Sequence, residues 1–172
     1  MLKTRFFTIT GLILLAAASR LLPHPPNFAP ITAIALFGGA YFTRKWAAFV
    51  VPFVIMFLTD LILGFHTDML AVYVGFALIV GIGFMLRNRI SIGGIIGASL
   101  GGSVLFFLIT NLSVWLTGTM YPQTVSGLLA CYAAGIPFFH YSVISTLVYS
   151  SVLFGAFELA KSKFPKLAAV QA

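Results

Sequence analysis

Residues 28–42, "FAPITAIALFGGAYF", are uncharged and apolar, yet at fifteen residues they fall short of the roughly 20 a helix needs to cross about 30 Å of hydrocarbon. The run opens at Pro30, whose missing N–H suits the first turn of a helix. It is short for a full crossing, and longer apolar runs lie on both sides of it.

Outward from this run the chain is hydrocarbon almost throughout. Of its 172 residues, 60% are hydrophobic and 8% charged, where a water-soluble domain carries roughly a quarter charged. Apolar runs bounded by charge, Pro or Gly fall at 6–22, 28–42, 46–65, 69–86, 92–117 and 136–160. They predict an all-α polytopic membrane protein, a six-transmembrane-helix bundle forming one domain over 1–172. The stretch 124–135, "TVSGLLACYAAG", is too short to span and is expected as a separate interfacial or re-entrant helix.

Cations set the orientation, because Lys and Arg stay on the cytoplasmic side of short loops. Lys3, Arg5, Arg44, Lys45, Arg87, Arg89, Lys161, Lys163 and Lys166 fall on one side of six spans and Arg20 on the other. Both termini are therefore expected in the cytoplasm, and the location expected is a bacterial inner membrane. The net charge of +7 then reflects topology and attraction to anionic lipid, with no call for nucleic acid. "MLKTR" and the following apolar run also fit a cleavable leader with small residues at Ala16 and Ala18, which would leave five spans.

Sorting polar residues by side places nearly every group able to bind or react on the outer face. Arg20, His24 and Asn27 lie in "RLLPHPPNFAP" (20–30), His66 and Asp68 in the next outer loop, and Tyr121 in the third. Asp60 lies near the outer end of the third span, and His140 near the outer start of the sixth. These eight form a candidate substrate pocket under proline-stiffened loops. Asp60 carries two readings, a functional intramembrane acid or a structural ion pair with Arg20. His140 reads as a hydrogen-bonded bundle residue, and Cys131, the only cysteine, as packing or as a soft-metal ligand. Glu158, three residues before Lys161, can pair with it on one helical face. Gly93, Gly97 and Gly101 repeat every four residues, a pattern for close helix packing within the bundle or for docking a partner. No GxxxxGK[ST], HExxH or GxSxG occurs, so binding and translocation lead over chemistry, and no enzyme activity is expected.

The proline-led 28–42 run, its Phe-Gly-Gly at 37–39 and the Asp60-x-x-x-Gly64 in "FVVPFVIMFLTDLILGF" together resemble the substrate-binding S-components of energy-coupling-factor vitamin transporters. The resemblance covers about residues 20–90, and "RLLPHPPNFAP" is similar to the solitary cobalamin S-components and related bacterial membrane proteins. It implies six helices and a vitamin held near the outer face under loops at 20–30, 66–68 and 118–135. It also implies a transmembrane coupling subunit and ATPases as partners, or solitary action; small residues spaced AxxxA mark that coupling interface in the family, and here the nearest instance is Ala29 with Ala33. No intrinsic cofactor is implied, but cobalamin enters as a substrate, with His66, His24 or Cys131 as open candidates for a cobalt ligand. Three rivals remain: a proton-coupled permease in which Asp60 titrates, a membrane enzyme using His24, His66 and Asp68 as a metal or acid–base site, and a purely structural membrane subunit.

Overall fold

A computed structural model describes residues 2–87 and 90–168. Among them the chain is all-helical: α1 (Leu2–Ala18), α2 (Ile31–Tyr41), α3 (Lys45–Leu63), α4 (Met69–Met85), α5 (Ile92–Thr117) and α6 (Val125–Lys163). Two 3₁₀ turns, Ser19–Leu21 and Pro165–Leu167, follow α1 and α6. Four segments are long and apolar enough to cross a membrane: α1 continued through its 3₁₀ turn (Lys3–Leu21), α3, α5 and α6. Large apolar side chains such as Leu15, Ile62, Leu70, Met85 and Ile92 lie 71–81% exposed, a surface that lipid rather than water would cover. Arg89 lies outside the described residues.

α2 is the axis of the bundle. Ten of its eleven residues, Thr32 to Tyr41, are buried, and it touches each of the other five helices. At 1.5 Å per residue it is only about 16 Å long, half the hydrocarbon thickness, as its sequence predicts. Its near-uniform run of small and apolar residues leaves no polar face, which is the pattern of a helix buried all round.

Two glycines let α2 and α4 cross at backbone contact. A Cβ on Gly39 would meet the Val80 carbonyl oxygen at 2.3 Å, and one on Gly83 would meet that of Leu36 at 2.5 Å. The C-terminal end of α2 is closed by arginines from two sides. Arg5 Nη2 donates to the Tyr41 carbonyl at 2.9 Å, while Arg87 donates from Nε to Gly39 and from Nη2 to Phe42, each at 2.8 Å. These are carbonyls that a helix C-terminus leaves unpaired, and cations there also suit the macrodipole. Burial lowers the Arg87 pKa, but a guanidinium starts so high that it stays charged.

One expectation fails here, and one of the two readings of another. Residues 125–135 are not a separate helix: α6 runs unbroken for 39 residues, about 58 Å at helical rise. Thr124 caps its start, accepting from the Gly127 N–H at 3.1 Å, and Cys131, Tyr132 and Gly135 all meet α5, so packing against that long neighbour carries the helix through. Gly93, Gly97 and Gly101 are exposed with nothing within 4 Å of a built Cβ, and so do not pack inside the bundle. The buried stripe of α5 is Ser99, Gly102 and Ser103. Ser99 donates to Ser150 at 3.1 Å and Ser103 to Thr146 at 3.0 Å, interhelical bonds of the kind that bind helices where lipid supplies no hydrophobic force.

Candidate functional site

The connection from α1 to α2 is a fixed arch. Phe28 N–H donates to the Pro25 carbonyl at 3.0 Å, and Asn27 adopts a left-handed φ of 62°, which asparagine tolerates better than most residues. His24 Nδ1 lies 2.7 Å from the Leu22 carbonyl oxygen, which can only accept, so Nδ1 donates to it. The arch delivers the chain to α2 with Pro30 as an N-cap that no side chain satisfies. The first N–H groups of the helix are thereby left for another acceptor.

A cavity of about 170 Å³ lies at that helix start. Its polar lining comes from Asn27, Thr32, Thr110, Asn111, Ser142, Ser145 and Thr146, and Phe106, Phe107 and Ile31 wall it. Several donors here already serve backbone carbonyls: Asn111 Nδ2 to Phe107 at 2.9 Å, Thr110 Oγ1 to Phe106 at 2.9 Å, Thr146 Oγ1 to Ser142 at 2.7 Å. Ser145 donates to Ala29 at 3.1 Å, which anchors the arch to α6. The site combines open backbone donors at a positive helix end with hydroxyl and amide groups held in place, an arrangement suited to a small polar or anionic group.

Of the eight pocket residues expected from sequence, Asn27 alone lines this cavity. Arg20 and Asp60 are joined instead to each other, Nη2 to Oδ1 at 2.7 Å. Arg20 Nη1 also donates to Thr59 at 2.5 Å, and Tyr73 OH donates to Asp60 Oδ2 at 2.7 Å. The ion pair with Arg20, one of the two readings of Asp60, is present and ties the end of α1 to α3 and α4. Asp68 precedes α4 and accepts from Ser113 at 2.8 Å, linking to α5.

The remaining candidates are scattered. His24 and His66 are exposed, Tyr121 is half-buried, and His140 is exposed, its ring tilted against that of Tyr141 at 4.0 Å rather than bonded within the bundle. Cys131 is buried with Sγ toward the Asn111 carbonyl at 3.4 Å, a packing role. Among the described residues no three His, Cys, Asp or Glu gather as a metal cluster. Ala33 is fully buried, so the Ala29/Ala33 pair is not a surface for a coupling subunit. Glu158 and Lys161 do pair, at 2.9 Å, and Glu158 also accepts from Tyr41 OH.

Sequence reasoning missed Thr110 and Ser142 because isolated hydroxyl residues in apolar helices carry no spacing signal. It also missed a larger cavity of about 520 Å³ between the starts of α1 and α3, lined by Lys3, Arg5, Phe6, Phe7, Arg44 and Trp46 among others. The signal was there, cations beside aromatics at two helix starts, but topology accounted for it.

Residues 1–167 match DUF6580, a family of unknown function. No curated protein and no solved structure matches the chain.

Proposed function

We propose that this chain, which belongs to the DUF6580 family, is an inner-membrane uptake protein that captures a small vitamin-like molecule from outside, in the manner of an S-component. In this reading the bundle crosses the membrane six times, with both termini in the cytoplasm, and the arch at 22–30 roofs the site. The observation that carries it is α2, a half-length helix whose inner end is closed by Arg5 and Arg87 and whose outer end opens, uncapped, into a polar cavity. Half-helix N-termini facing a cavity near the bilayer midplane are how several transporters hold anionic groups.

The cavity volume of about 170 Å³ lies below the roughly 300 Å³ at which small-molecule pockets begin. A compact ligand with a carboxylate or similar acceptor fits a cavity of this size better than a corrinoid does. Asp60 has both oxygens engaged, which takes support from the proton-coupled alternative. The scatter of His24, His66 and Asp68 does the same for a metal enzyme.

The test is native mass spectrometry of the detergent-purified chain against a vitamin panel that includes cobalamin. One vitamin is expected to be retained, and Asn111→Leu, by deleting one or two hydrogen bonds, should weaken it about tenfold. Retention of none, or retention indifferent to both Asn111→Leu and Thr32→Val, would sink the reading.

A further inference from the structure

The 520 Å³ cleft lies at the opposite end from the arch and is chemically two-sided. Lys3 and Arg44 are exposed on it, and Trp46 stands 53% exposed beside them. Phe6, Phe7 and Phe42 supply an apolar wall, and no acidic side chain lines it. Arg5, only 8% exposed, forms part of the lining; its two terminal nitrogens donate to Leu167 at 2.6 Å and Tyr41 at 2.9 Å, but its Nε has no hydrogen-bond partner. Arg44 is the N-cap of α3, with no side chain capping that helix start. Three cations, one carrying an unpaired buried donor, thus surround an uncapped positive helix end.

We propose that this cleft binds an anionic phospholipid, its phosphodiester between Lys3, Arg44 and the start of α3 and its upper acyl chain along Phe6 and Phe7. The cations alone would suit free phosphate, but the aromatic wall would then stay unfilled; a lipid matches both halves. The position fits as well, since α1 with its 3₁₀ turn and α3 are both long enough to cross a membrane and both begin here. Basic pockets between membrane helices on the cytoplasmic side are recurrent headgroup sites. The inference stands apart from the uptake reading, which concerns the other end of the bundle.

The experiment is native mass spectrometry of the delipidated full chain titrated with phosphatidylglycerol or phosphatidylcholine. Phosphatidylglycerol should bind preferentially, and Lys3→Ala/Arg44→Ala should weaken it about twenty-five-fold, at about fivefold for each cation. Lys163→Ala/Lys166→Ala removes the same charge from exposed positions off the cleft and should change binding less than about twofold. Equal binding of the two lipids, or equal losses in the two double variants, overturns the proposal. Displacement of the lipid by excess inorganic phosphate would assign the cleft to a free anion and overturn it too.

Discussion

Arg20 and Asp60 show what a charge must do to survive inside an apolar bundle. With side chains only 10% and 5% exposed, each would be costly alone, and the pair holds because Thr59 and Tyr73 take up further hydrogen-bonding positions. Removing one partner leaves an uncompensated buried charge. Arg20→Ala is therefore expected to lower stability by about 3–5 kcal/mol, while replacing both residues with apolar ones of similar volume should restore most of it. Thermal unfolding in detergent, followed by circular dichroism, checks both; an Arg20→Ala protein as stable as its parent would contradict the assignment. Arg87 acts by a gentler route. Losing its two charge-assisted bonds to the end of α2 should cost about 1.5–3 kcal/mol in Arg87→Ala by the same assay.

At the scale of elements, glycine means opposite things in two helices. Gly39 and Gly83 sit where α2 and α4 touch backbone to backbone, and any Cβ would collide with a carbonyl. Gly39→Ala and Gly83→Ala are expected to force the helices apart at a cost of about 1–3 kcal/mol, or more. Gly93, Gly97 and Gly101 face open space, so alanine there should be neutral, or stabilising by up to about 1 kcal/mol through helix propensity. A melting series over the five variants separates the groups. Destabilisation in the α5 set would show that its outer face is covered by something beyond this chain. α6 is the other element whose length matters: its 39 residues outrun the other helices, and its first turns pack on α5 through Tyr132 OH, which donates to the Leu108 carbonyl at 2.9 Å.

For the molecule as a whole, the up-and-down order of helices places loops at 22–30, 64–68 and 118–124 at one end. Among the described residues, Lys3, Arg5, Arg44 and Arg87 gather at the opposite end. Six crossings predict that a membrane-impermeant maleimide applied to intact cells labels Thr119→Cys and His66→Cys but not Thr43→Cys or Ser162→Cys. The native Cys131 is buried and should stay unlabelled, so each variant reports one position. Labelling of Thr43→Cys at the rate of Thr119→Cys would break the six-span topology.

Composition and cation spacing by themselves determined the helical class, the membrane-like character and the shortness of α2, because hydrophobic run length and charge placement are local quantities. The Glu158–Lys161 pair was legible for the same reason, being one turn apart on one helix. The site was not. Arg20 and Asp60 look like pocket residues from their positions along the chain, and become an ion pair only when the end of α1 meets α3. Thr110 and Ser142 look like nothing until α5 and α6 bring them above the start of α2. Which glycine is an interface and which faces outward, and whether residues 124–135 stop or continue a helix, depends on what packs against them. That is decided by contacts between segments distant in sequence, and no periodicity within a segment encodes it.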